Sequence, residues 1–115
     1  MGYHHLALAA KDMKATHDFY ERIMGFELVK VEVGPIPGGG WGKHFFYRMD
    51  GDDNRFIAFW ELHETAGQEN YQYDLNEAAG LPPGTNHYSF SVDTAEELAA
   101  WKDRWNAAGL DVLEI

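Results

Sequence analysis

The sequence predicts an α+β fold made of paired β-α-β-β-β modules, with the second module stopping after its second strand. The first observation behind this is an internal repeat. His5-Leu6-Ala7-Leu8-Ala9, then Asp12, a helical stretch, Gly25 and Phe26-Glu27-Leu28-Val29 parallel a later series. That series is His87-Tyr88-Ser89-Phe90-Ser91, then Asp93, a helical stretch, Gly109 and Leu110-Asp111-Val112-Leu113. Histidine and glycine stand 20 residues apart in one copy and 22 in the other. A repeat of that length is one supersecondary unit used twice. The second observation is a pair of alternating segments between the copies, separated by a polar turn, which adds a hairpin to the first copy. Residues 1–63 therefore form the first module, 64–86 a connector and 87–115 the incomplete second module, all within one structural domain.

Each element has a local reason. In the first strand His5, Ala7 and Ala9 share one face, while His4, Leu6 and Leu8 take the other. In the repeat His87, Ser89 and Ser91 lie opposite Tyr88, Phe90 and Val92. Each strand thus has a bulky face to pack on a helix, and a second face where small residues leave room beside an imidazole. Asp12 caps the first helix, whose stripe is Thr16, Phe19, Tyr20 and Ile23, and Gly25 supplies its left-handed stop. Asp93 is expected to cap the second helix, with Glu96 completing a capping box and Gly109 ending it. Its buried stripe is Leu98, Trp101, Trp105 and Ala108. Strands are expected over 27–33, 44–49 and 55–62. A glycine-rich loop over 34–42 and the turn Asp50-Gly51-Asp52-Asp53-Asn54 join them. The connector holds Gly67, Gly80, Pro82, Pro83 and Gly84, with a helical turn over 75–79.

Composition narrows the function classes. The 115 residues carry 19 acidic and 9 basic side chains, a formal charge of −10, so a phosphate backbone is repelled and no nucleic-acid partner is expected. The longest apolar runs, 6–10 and 56–60, are five residues each, far short of the roughly twenty of a membrane span. With no cysteine there is no disulfide, thiolate metal site or cysteine nucleophile. A cytoplasmic protein with a small-molecule substrate and no membrane partner is the expectation.

Three residues at comparable strand positions carry the chemistry: His5, Glu61 and His87. Histidine and carboxylate ligands from separate strands can hold Zn, Ni, Co, Mn or Fe(II) in an open coordination sphere. Glu61 shares its strand face with Ile57 and Phe59, and its structural reading is a rim residue paired with Arg55 or Lys43. His4 is expected on the face opposite His5, His17 on the exposed side of its helix, and His44 and His63 near strand ends. His63 has the parity of Glu61 and reads as a substrate contact or supporting partner. The loop around Trp41 lacks the residues of a phosphate loop; it reads as a plain loop before it reads as a lid. The turn at 50–54 lacks the spacing of a calcium loop and is solvated. Phe45, Phe46, Tyr47, Phe56, Phe59 and Trp60 are either core or the lining of a ring-sized pocket.

The segment His5-Leu-Ala-Leu-Ala-Ala-Lys-Asp12, with Phe19-Tyr20 and Met24-Gly25-Phe26, resembles the opening of the vicinal oxygen chelate superfamily. Asn86-His87-Tyr88-Ser89-Phe90-Ser91-Val92 resembles the start of its second module. The resemblance implies paired modules whose curled sheets cup a divalent metal, with His5, Glu61 and His87 as ligands and Glu61 also as a catalytic proton shuttle. It implies glyoxalase-like lyase or isomerase chemistry on a substrate that chelates through vicinal oxygens. An Fe(II) extradiol ring-cleaving dioxygenase is the alternative, and a non-catalytic drug- or small-molecule-binding module is a third reading. The family's final strand, which carries a further carboxylate, lies beyond Ile115. Either the form is a shortened one or another chain supplies that carboxylate, and since members of the superfamily often build sites from modules of two subunits, the resemblance implies a homodimer.

Overall fold

A computed structural model describes residues 1–65 and 70–115. The stretch 66–69 of the expected connector, including Gly67, lies outside the described residues. Four strands form one sheet: β1 (His5–Ala9), β2 (Glu27–Pro35), β3 (Trp41–Arg48) and β4 (Phe56–His63). Their order is β1-β4-β3-β2. β1 runs parallel to β4, whereas β3 is antiparallel to both β4 and β2. The sequence-predicted strands are all present in the first module. β3 begins earlier than expected, so Trp41 is a strand residue and not a lid. Its ring stacks on His63 at 4.3 Å.

Between β1 and β2 runs the first helix, α1 (Met13–His17), which continues directly into a π-helical turn, Asp18–Ile23. Asp12 caps it as expected, accepting from the Ala15 amide at 3.0 Å. The π turn was not legible in the spacing. Met24 N–H reaches back five residues to the Phe19 carbonyl at 2.8 Å. The wider turn places Tyr20, Ile23 and Met24 all in the interior. Gly25, at φ +74°, turns the chain back into β2.

The core lies between this helix and one face of the sheet. Tyr47 and Ile57 are the largest fully buried side chains, joined by Ala10, Met13, Tyr20, Met24 and Phe59. Tyr20 is its hub, with Phe59 at 4.7 Å and Tyr47 at 6.0 Å between ring centroids. Phe45, Tyr47 and Phe59 therefore belong to the core and not to a ligand pocket. His17, expected to be exposed, hydrogen-bonds the buried Tyr47 hydroxyl at 2.8 Å.

The second module is present as a helix flanked by extended segments. α2 (Leu75–Ala79) is the helical turn of the connector, and α3 (Ala95–Ala107) is the helix of the repeat. Thr94, and not Asp93, caps α3: its hydroxyl accepts from the Glu97 amide at 3.1 Å, while the Glu97 carboxylate accepts from the Asp93 amide at 3.1 Å. The capping box is thus shifted by one residue from Asp93/Glu96. Thr94 can serve because its own backbone is extended at that point.

Among the described residues no strand ladder includes 87–92 or 110–113. The first module explains this. Its outer strands, β1 and β2, never touch, because β4 and β3 stand between them. The segments 87–92 and 110–113 correspond to those two outer strands, so neither can hydrogen-bond the other. What holds them is side-chain packing. The Tyr88 and Tyr20 hydroxyls meet at 2.6 Å, and Phe90 packs edge-on to Phe26 at 5.5 Å. α3 leans on the same core through Trp105, edge-on to Phe19 at 5.5 Å, and Arg104 donates to the Arg22 carbonyl at 3.1 Å. Leu98, expected in the buried stripe, is exposed because α3 meets the first module near its C-terminal end.

Candidate functional site on the open face of the sheet

Side-by-side residues of neighbouring strands project from the same face of a sheet. His5 lies opposite Phe56 and Ala9 opposite Trp60, while Phe46 and His44 of β3 lie opposite Ala58 and Trp60. One face therefore carries Leu6, Leu8, Ile57, Phe59, Phe45 and Tyr47 and is covered by the helix. The other carries His5, Ala7, Ala9, Ala58, Trp60, Phe46 and His44. Small side chains on β1 leave His5 exposed on that open face, with the Phe46 ring 5.5 Å away.

His4 departs from the expected alternation. The strand starts at His5, so pleating does not reach His4. The two rings turn toward each other and share a hydrogen bond between Nδ1 atoms at 2.9 Å. His4 also lies 5.0 Å from Phe56.

Glu61 follows Ile57 and Phe59 in strand parity, which sets it on the helix-covered side at the end of β4. There it accepts a hydrogen bond from His63 Nε2 at 2.6 Å, and Lys43 Nζ stands 4.0 Å away. The pairing with Lys43 and the shared parity of Glu61 and His63 are both legible from the sequence. His87 is exposed, with its Nδ1 3.4 Å from the Thr85 carbonyl. The structure does not bring His5, Glu61 and His87 to one point. Among the described residues no group of three or more His, Asp or Glu side chains is arranged to hold a metal ion.

His44 is the residue sequence reasoning passed over. It sits mid-strand and only 7% exposed, its ring stacked on Trp60 at 3.9 Å and 13° and lying 4.2 Å from Phe46. Burial pushes its pKa down, opposed by the Glu32 carboxylate across the β2–β3 pair and assisted by His5 and Lys30. Its Nε2 is enclosed and has no hydrogen-bond partner. The available signal was the shared parity of Gly42, His44 and Phe46, two strands away from His5.

A fold of this order, with a helix on one sheet face and a histidine opening the first strand on the other, defines an α+β protein with an open sheet face. The family model for the Glyoxalase/Bleomycin resistance protein/Dioxygenase superfamily matches residues 2–115. The chain belongs to that superfamily. No curated protein matches it. Among solved structures it is similar to the genomically encoded fosfomycin resistance protein FosX from Listeria monocytogenes, with a TM-score of 0.57 and 21% identity over 96% of this chain and 71% of that one. A point mutant of FosX, complexed with Mn(II) and 1S,2S-dihydroxypropylphosphonic acid, gives a TM-score of 0.59 and 20% identity over 98% of this chain and 73% of that one. At such identity the likeness is one of fold.

The family's metal chemistry can be tested against this donor set. The imidazoles of His5 and His87 are exposed nitrogen donors of the kind a borderline divalent cation takes. Glu61 is hydrogen-bonded to His63 and sits on the opposite sheet face from His5, so it does not join His5 in this arrangement.

Proposed function

We propose that this protein is a divalent-metal-dependent enzyme acting on a small substrate that presents vicinal oxygens, with the open sheet face as the substrate surface. On this reading His5 and His87 are its imidazole ligands, and because one chain does not bring them to one point with Glu61, the ligand set is completed between two copies of the chain. The observation that carries the reading is His5 itself: exposed, at the head of β1, flanked on its face by Ala7 and Ala9, and away from the core. That arrangement leaves space beside a nitrogen donor, which a residue placed for packing alone does not require. The FosX complex supports it by analogy, since its ligand carries two adjacent hydroxyls alongside Mn(II).

A bound divalent cation would polarise the substrate's oxygens and lower the cost of negative charge developing on them. The chain's own contribution is positional. His4 hydrogen-bonds His5 Nδ1 and so orients the ring, leaving Nε2 as its outward donor. The Phe46 ring, 5.5 Å from His5, supplies apolar surface beside it. Glu61 with His63 forms a carboxylate–imidazole pair at the sheet's end, in which the carboxylate fixes the ring's tautomer.

Metal analysis of protein purified without added metal tests this. His5→Ala and His87→Ala should each abolish stoichiometric metal, and retention of metal by both variants refutes the assignment. Glu61→Gln should leave binding intact if the carboxylate serves His63, and should lower it if Glu61 swings into the ligand set. Oxygen uptake with catechols and Fe(II) identifies the dioxygenase branch. The binding-module reading is favoured by the absence of a three-residue metal cluster among the described residues. Wild-type protein that stays metal-free yet binds aromatic ligands would establish it instead.

A further inference from the structure

We propose that His44 is the hydrogen-bonding contact for a neutral oxygen, hydroxyl or carbonyl, of the small molecule seated on the open sheet face. This rests on the reading of that face as the substrate surface. His44 stands in the middle of β3, where its neighbours on the same face are the rings of Phe46 and Trp60. A phenyl or aliphatic side chain would fill that position without burying a polar atom. The imidazole instead encloses an Nε2 that nothing in the chain satisfies. Buried polar groups are nearly always partnered, so an orphan of this kind calls for an explanation outside the folded chain itself.

The neighbours do not supply the partner. Glu32, directly across the β2–β3 pair, is held by Lys30 at 2.5 Å. Phe46 lies between the rings of His44 and His5, 4.2 Å from one and 5.5 Å from the other. A molecule anchored at His5 and lying across Phe46 therefore arrives beside His44. A methyl group added at Gly42 would stand 3.1 Å from both Ile36 Cδ1 and Trp60 Cε3, so Ile36 reaches over the strand from the glycine-rich turn. The downward push of burial on the His44 pKa keeps the ring neutral, which suits a hydroxyl or carbonyl better than a dianion.

The test uses two vicinal diols as probes, catechol and 1,2-dihydroxypropylphosphonic acid, titrated calorimetrically into the metal-supplemented protein. Expected is binding of at least one probe by the wild type, weakened tenfold or more in His44→Phe and restored to within about threefold of wild type in His44→Gln, which keeps a polar edge. His44→Phe should also melt no lower than the wild type, since it removes the unpartnered nitrogen. Wild-type probe affinity in His44→Phe overturns the proposal, as does a wild type that binds neither probe. Metal content separates the two failures. If His5→Ala loses metal while His44→Phe binds normally, the function stands and the His44 role falls; if the wild type takes up neither metal nor probe, both fall.

Discussion

The Tyr20–Tyr88 contact ties the second module's first segment to the core of the first, and its two ends are unequal. Tyr20 is buried, while Tyr88 is 46% exposed, and their hydroxyls meet at 2.6 Å. Removing the Tyr20 hydroxyl leaves Tyr88 free to bond water, so Tyr20→Phe should cost only about 0.5–1.5 kcal/mol. Removing the Tyr88 hydroxyl strands the buried one, and Tyr88→Phe should cost about 1–3 kcal/mol. The double variant removes both partners and should lie close to Tyr20→Phe alone, so the cycle closes with a coupling of about 1 kcal/mol or more. Urea unfolding measures the three stabilities. Amide hydrogen exchange over 87–92 reports whether that segment loosens selectively, because no ladder holds it. The reasoning is refuted if Tyr88→Phe costs no more than Tyr20→Phe, or if the two substitutions add without coupling.

The glycine-rich turn and the buried Tyr47 each carry a further expected outcome. Gly40 has φ +78°, and an added Cβ would stand 2.5 Å from the His63 carbonyl oxygen, whereas at Gly51, φ +69°, nothing lies within 4 Å. Gly40→Ala should therefore exceed the roughly 1–2 kcal/mol left-handed penalty expected of Gly51→Ala, and equal losses in chemical denaturation would show that the turn does not press on β4. Burial pushes the Tyr47 pKa up to about 12 from 10.0, with the Glu21 carboxylate adding to it. A raised folded-state pKa means the stabilisation is complete below pH 10 and is lost as pH climbs toward 12. At about 1.4 kcal/mol per unit the loss is on the order of 2–3 kcal/mol. Tyrosinate absorbance during alkaline unfolding should show Tyr47→Phe losing less stability over that interval. An unchanged slope would contradict the burial argument.

Much of the site's surroundings was readable, but its faces were not assembled. Alternation along β1 placed His5 among alanines, and alternation along β4 placed Glu61 with Ile57 and Phe59 and beside His63. Which strand face is inside is a relation between strands, and it follows from the β1–β4 register. That register sets Ile57 and Phe59 under the helix, and Glu61 goes with them. His44 escaped notice because a single histidine near an expected strand end carries no pattern. Its significance appears only when β3 is seen to start at Trp41 and to run alongside Trp60. His4 was misplaced because pleating was extended one residue beyond the strand.

By itself the sequence determined the repeat, the helix starts and stops at Asp12, Gly25 and Gly109, the hairpin of β3 and β4 and the acidic, cysteine-free character. All of these are local: a cap, a left-handed turn or a period of two acts within a few residues. The tertiary structure decided the strand order, the π turn that buries Tyr20, Ile23 and Met24 together, and the burial of His44. It also decided that 87–92 and 110–113 lie without ladders. Backbone hydrogen bonds in a sheet need a neighbour, and only the strand order shows that these two segments correspond to strands that never neighbour each other.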